Sequence, residues 1–456
     1  MSNTYTNKVQ LADGTTIVDL TGDDVTAADV AQGKIFHLPT GEQATGTASG
    51  GGTTEPDPLD VDFVDYDGTL LYTYTAAEFA NLQSLPPNPT HTGLVAQGWN
   101  WTLSDAKTHV SEYGSLVIGQ NYKTSDGRTR VYITVTEDIL GCAHRVYFYA
   151  SVKGGVTVHW GDGTSTVSTA NANAYSSLSH TYNSAGDYVI ELEVTSGTLK
   201  IGYDGASQTF INGGSSSAFT DFYAVRNTVK KIEIGDNVIA IHRQCFNSFS
   251  NCETISVPNT ITSMSSGTSG TNISSCIKLK CFVIPSGVTL IPPSFAENCY
   301  ALKYCSIPKS VTTISTGAFR QLSKVRKLTI SNMQSGPTSS QYLITGASCM
   351  EYLTIGGTYT QTSQYFCRDN RAVVIGKFVI PSTVTTIPQY SFNTTFFKEI
   401  HLKQTTPPTL SNANAFSAWS NLKIYVPYSA DHSILNAYKT ATNWSTFESY
   451  MQEETS

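Results

Sequence analysis

Two carboxylates separated by one residue come closest in this chain to an arrangement that does chemistry. They lie in VDFVDYDGTLLYTY, residues 61–74, where Asp65-Tyr66-Asp67-Gly68-Thr69 spells D-x-D-G-T. In such a string the first Asp can attack a phosphoryl group while the second moves the proton. The reaction also needs a lysine and a second acidic pair to hold magnesium and the phosphate. One G-D-x-x-x-[DE] candidate exists, Gly186-Asp187…Glu191, and it lies inside a strand preceded by polar residues.

The D-x-D-G-T string resembles the first motif of haloacid-dehalogenase-type phosphatases, which implies a nucleophile at Asp65 and an acid/base at Asp67. The alternation of strands and helices that such a site needs is missing. Calcium-loop spacing fails as well, because Phe63 stands two residues before Asp65 and no Glu occupies the twelfth position. The histidines are scattered, and neither G-x-S-x-G nor H-E-x-x-H occurs. The reading is therefore no enzyme, no catalytic or metal residue and no cofactor. Asp67-Gly68 is expected to be a tight hairpin turn with positive φ at its central residues.

The elements around these residues set the larger picture. A chain of 456 residues implies two to four units. Charged residues make up 14% and the net charge is -7, which disfavours a nucleic-acid partner. No apolar run is long enough to insert in a membrane, and the start lacks the pattern of a secretory signal. Of nine cysteines, eight lie between Cys245 and Cys367 without paired C-x-x-C sets. Free buried thiols are expected, with Cys281 and Cys349 off the inward register and exposed.

The expected fold class is mainly β and multi-domain. Residues 1–47 form a small α+β module with a helix near Val25–Val30, and 48–58 a Gly/Pro linker. Residues 59–145 form a second α+β module with helices at Ala76–Gln83 and Leu103–Tyr113. This module is expected to end in a hairpin across Asp126-Gly127. Residues 146–205 alternate as in a small β-sandwich, 206–225 read as a linker, and 226–456 as a repeat array.

The array shows in equivalent positions Ile234, Val257, Ile284, Ile307, Ile330, Ile355, Ile380, Leu402 and Val426, spaced by 23, 27, 23, 23, 25, 25, 22 and 24. Apolar residues stand two, five and often eight positions before each, and Pro follows at 258, 285, 308, 381 and 427. A coil of this size cannot bury its apolar edges alone, so neighbours must stack.

Three further resemblances rest on quoted residues. Trp160-Gly161-Asp162-Gly163 with His180-Thr181-Tyr182 and Gly186-Asp187-Tyr188 resembles a PKD domain, which implies an immunoglobulin-like sandwich. There Asp162 serves the turn, with a calcium role as the lesser reading. Ile307-Pro308-Lys309-Ser310-Val311-Thr312-Thr313-Ile314…Ala318-Phe319 resembles the BspA-type leucine-rich repeat, which implies adhesion to a host surface protein or glycan. VDLTGDDVTAADVAQGKIFHLPTGEQATGT looks like a module of phage and prophage tail proteins of gut bacteria. That resemblance implies a virion tail protein made in the host cytoplasm. It would join other tail or baseplate proteins through its N-terminal module and assemble as a trimer or hexamer. A cell-surface or secreted BspA-like adhesin is the alternative. Ligand-binding residues stay unknown, with loop 265–275 and Tyr425 and Tyr428 as candidates.

Overall fold

The computed structural model describes residue 57 and residues 59–455 except 203–208, 214–218, 265–269, 271, 338–340, 369 and 371–373; within 1–56 it describes the backbone of four strands. The chain divides into Met1–Asp57 and Pro58–Ser456. In the first unit β1 (Lys8–Gln10) pairs with β2 (Thr16–Asp19), and β3 (Ile35–His37) with β4 (Gln43–Thr45), both antiparallel. The helix expected near Val25–Val30 lies outside the described residues, as does the linker 48–58 apart from Asp57.

The second unit opens with a four-stranded sheet in the order β6-β5-β8-β7. Its strands are β5 (Val61–Val64), β6 (Leu70–Tyr74), β7 (Leu94–Trp99) and β8 (Leu116–Thr124). Helices α1 (Ala76–Asn81) and α2 (Leu103–Tyr113) belong to this module. Thr75 and Glu78 form a reciprocal capping box on α1, and Thr102 caps α2, so each helix starts where a hydroxyl can meet a free amide. Phe63, Phe79, Trp99, Trp101 and Val110 build a core separate from the rest.

The hairpin expected across Asp126-Gly127 is not formed. β8 stays in the module, whereas β9 (Thr129–Val135) enters another sheet, between the strands Gly186–Val194 and Val229–Glu233. Alternation on both sides of a Gly turn shows two strands but not their partners. Arg130 holds Asp126 and Glu191 together, tying the turn to the strand Gly186–Val194 rather than to β8.

The sandwich region contains β10 (Ala143–Ala150), β11 (Val156–His159), β12 (Ser165–Val167), β13 (Tyr175–Thr181), β14 (Gly186–Val194) and β15 (Leu199–Ile201). Segment 206–225, read as a linker, contributes β16 (Ile211–Gly213), which pairs with β10, and helix α3 (Phe219–Arg226).

Both sandwich sheets run on into the repeats. β9 pairs antiparallel with β17 (Val229–Glu233), which pairs parallel with β19 (Thr254–Ser256). On the other side β15 pairs parallel with β18 (Val238–Ile241). One apolar core extends without a break from Val131 to Met451.

The C-terminal region is a β-solenoid of about nine turns in a mainly β protein. Its longest parallel sheet joins Lys327–Met333, Tyr352–Gly357, Val374–Ile380, Phe396–Leu402, Lys423–Val426 and Met451–Glu453. All nine reference positions are buried. Phe392 stacks on Phe416 at 5.0 Å and 8°, as like positions of adjacent coils must when they share a core. The last coil is closed by Tyr438, Trp444 and Phe447, with the Trp444 indole donating to the Pro408 carbonyl at 2.8 Å.

Candidate binding surface

Residues between the inward positions of each strand point out of the solenoid and fall into register. One column pairs Cys281 with Tyr304, then Lys327 with Tyr352, then Lys377, Glu399 and Lys423. A second pairs Val283 with Ser306, then Thr329, Thr354, Val379, His401, Tyr425 and Gln452.

The first part of this outer face is covered by the chain's own 59–124 module. Pro258, Pro285 and Pro308 end their strands because proline carries no N–H, and carbonyls at that corner are met by side chains. Asn121 Nδ2 donates to the Val257 and Val283 carbonyls at 3.1 and 3.2 Å. Asn100 Nδ2 donates to Ile284 at 3.1 Å, and the Trp101 indole to Ile307 at 3.0 Å. The Ser306 hydroxyl donates back to the Val117 carbonyl at 2.8 Å. Each such bond contributes about 0.5–1.5 kcal/mol, and an unmet buried carbonyl costs more.

Cys281, expected to be exposed, is fully buried in a patch with Val64, Val117, Val283 and Tyr304. Its outward register is as read; the module is what covers it. Burial pushes its thiol well above the usual range. Cys349 is exposed as expected, and none of the nine cysteines is in a disulfide. Gly119 in β8 permits the close approach, since a Cβ there would lie 2.6 Å from Val283 methyls and 2.9 Å from Ser306 Cβ.

The D-x-D-G-T string sits at this seam. The Asp65 carbonyl accepts from the Gly68 amide at 3.1 Å, and the Asp65 amide donates to the Thr69 carbonyl at 2.8 Å. Gly68 alone takes a positive φ, +92°, so the loop is a turn with a glycine bulge rather than one with two positive central residues. Asp65 Oδ1 accepts from the Tyr66 amide, and Oδ2 lies 2.7 Å from His91 Nε2. Asp67 accepts from the Thr69 amide at 2.9 Å. Both carboxylates hold the loop, and a Cβ on Gly68 would meet Lys280 Cβ at 3.1 Å.

The other carboxylate candidates are equally engaged. Asp187 accepts from the Thr134 hydroxyl, and Glu191 meets Arg128 and Arg130. Asp162 accepts from the Thr164 amide and hydroxyl and lies 2.7 Å from His180 Nε2. Gly161 and Gly163 supply the positive φ of that turn. Among the described residues no group of three or more His, Cys, Asp and Glu is placed to hold a metal ion.

Beyond Tyr352 the first outer column carries Lys377, Glu399 and Lys423, each at least partly exposed, whereas in the second Val379 and His401 are buried and Tyr425 is partly exposed. Tyr425 stacks on His401 at 4.5 Å and 8°. His401 Nδ1 lies 2.8 Å from Glu454, which also meets Lys403 at 3.5 Å. Tyr425 therefore packs on the outer sheet surface, whereas Tyr428 is 49% exposed. In the candidate loop 265–275, Asn272, Ile273 and Ser274 are buried, and 265–269 and 271 lie outside the described residues.

The docking side chains Asn100, Trp101, Asn121 and Lys327 were not singled out from sequence. Their signal was present, because Cys281, Val283 and Tyr304 put apolar groups at outward positions of successive coils.

A profile of the BspA type leucine rich repeat region matches residues 217–340 and 361–452, in 6 copies. Among solved structures the chain is similar to a leucine rich cell surface protein from Faecalibacterium prausnitzii A2-165. The identity is 17%, the match covers 50% of this chain and 74% of that chain, and the TM-score is 0.23. No curated protein matches. Stacked coils, inward apolar register, corner prolines and the matched profile agree: the C-terminal part of this chain consists of BspA-type leucine-rich repeats.

Proposed function

We propose that this chain is an adhesin-like protein displayed at a surface, binding a host glycan or protein through the outer face of its later repeats. The carrying observation is that BspA-type repeats form a solenoid whose first outer column is covered by the 59–124 module at Cys281 and Tyr304 and is at least partly exposed at Lys377, Glu399 and Lys423. The coils beyond Tyr352 present cations, carboxylates and tyrosine in fixed register, which suits many weak contacts multiplied by copy number.

The test is cell binding by the full chain measured by flow cytometry, against a variant carrying Lys377→Glu, Lys423→Glu and Tyr425→Ser. Binding should fall at least tenfold in the variant. Equal binding by both proteins would remove the later coils as the reader.

A virion tail protein is the second reading, favoured by the 18–47 phrase and by nine cysteines outside any disulfide, which suits assembly in a reducing cytoplasm. In it the N-terminal module joins other tail proteins, the PKD-like sandwich acts as spacer, and the chain is a trimer or hexamer. Immunogold labelling of induced phage particles, with light scattering for the copy number, decides it. Label on cell envelopes but never on particles would retire the tail reading.

A further inference from the structure

Where the 59–124 module meets the repeats, a cleft of about 380 Å³ opens between the start of α2 and three successive coils. We propose that this seam cleft, a site separate from the face of the later coils, binds a single neutral hexopyranoside unit; taking its ligand to be a sugar rests on the surface-recognition reading. The volume falls in the lower part of the range of small-molecule sites, about 300–1,000 Å³.

The wall is fixed. The Trp101 indole N–H is spent on the Ile307 carbonyl, so the 4% of Trp101 left exposed gives the cleft a small apolar edge beside the buried Pro308. Asn100 is buried with both ends of its amide engaged, which holds the floor.

The rim is polar and reachable. Asp105 Oδ1 lies 2.5 Å from Lys309 Nζ, and the two side chains are 38% and 49% exposed. The pair cancels its own charge while keeping acceptor and donor capacity side by side. A carboxylate next to an ammonium matches vicinal hydroxyls, each of which donates to the one and accepts from the other. Lys309 also draws the Asp105 carboxyl below its usual range, keeping it an acceptor through mildly acidic pH.

Ser286, Ser310 and Asn332 complete the lining. Ser310 donates to the Val288 carbonyl at 2.7 Å and Asn332 Nδ2 to the Lys309 carbonyl at 3.2 Å, leaving their oxygens as acceptors. An apolar wall with few placed polar groups suits a pyranose ring. Among the described residues no second cation lines the cleft to favour a phosphate or carboxylate.

Ligand-observed saturation-transfer NMR on the full chain tests this with the methyl glycosides of glucose, galactose, mannose and N-acetylglucosamine. At least one should receive transfer at its ring protons. The signal should drop at least fivefold in Ser286→Trp, which fills the cleft from an exposed position, and in Lys309→Met. Melting temperatures should match the parent, so that a folding defect is not read as lost binding. Absence of transfer to all four glycosides, or transfer persisting in Ser286→Trp, overturns the site. Cell binding of the same samples keeps the two readings apart. Cells bound without glycoside transfer overturn the cleft and leave adhesion standing; glycosides bound without cells leave the cleft and remove adhesion.

Discussion

Lys327 Nζ lies 2.9 Å from Asp62 Oδ2 with the two side chains only 5% and 4% exposed, pairing the first strand of the 59–124 module with the fifth coil of the solenoid. Asp62 also accepts from the Thr73 hydroxyl at 2.6 Å, and Lys327 donates to the Asp60 carbonyl. Both Asp62 oxygens and two Lys327 N–H groups thus have partners, as burial of charge demands.

Removing one member should therefore cost far more than removing both. Lys327→Met leaves the Asp62 carboxylate buried and unpaired, a loss of about 3–5 kcal/mol by the usual behaviour of such pairs. Asp62→Asn with Lys327→Met should recover at least about 1 kcal/mol of that, read from urea unfolding as a double-mutant cycle. Strict additivity would show that the pair does not couple module to repeats.

Cys281 reports whether the module is docked. In the native protein a thiol reagent near pH 8 should label Cys349 quickly and Cys281 hardly at all, because burial and a raised thiol pKa both protect the latter. Gly119→Val drives a side chain into Val283 and Ser306, and it should expose Cys281 at least tenfold faster while the far-UV spectrum is kept. Peptide mapping of the labelled sites checks it; an unchanged Cys281 rate would mean the module tolerates the added bulk.

Two buried histidines set an acid limit. Burial depresses His109 and His144 from their ordinary value to about 4, and Nε2 of each has no hydrogen-bond partner. Because the folded value lies below the unfolded one, their stabilising contribution is complete above about pH 6.5 and is lost as pH falls towards 4, by on the order of 3 kcal/mol each. Melting temperature should drop across that window. His109→Phe and His144→Phe should flatten the slope, and an equal slope in the double variant would assign the loss to other groups.

The C-terminal closure should be local in effect. Trp444 packs on Tyr438, Phe447 and Phe416, and Trp444→Ala removes that packing together with the bond to Pro408. A loss of about 3–5 kcal/mol is expected. Hydrogen exchange should rise first in Lys423–Val426 and Met451–Glu453, with the sandwich protected. A uniform rise through the whole solenoid would contradict a local closure.

How much was legible in the sequence follows from where each signal is written. Coils were legible because stacking forces the same inward residues to recur, and Ile307, Ile330 and Ile355 advertise this directly. The α2 helix was legible to the residue because Thr102 starts it and Gly114 ends it. The partner of β9 was not, since alternation in Thr129–Val135 records that faces differ but not which strand lies alongside. The docked module was hidden for a similar reason. Gly119 and Cys281 lie more than a hundred residues apart, and neither is unusual for its own strand. Only their juxtaposition in space gives the small residue and the buried thiol their meaning.

The sheets of the sandwich continue into the first coils, and the module rests on coils up to Tyr352. Gain or loss of a coil before that point would break the spacing between Asn121, Asn100, Lys327 and the carbonyls or carboxylates they meet. Gain or loss between Tyr352 and Lys423 would disturb neither end. A coil can thus be added or lost without breaking the docking contacts only among the later coils, where each added turn would lengthen the outer face.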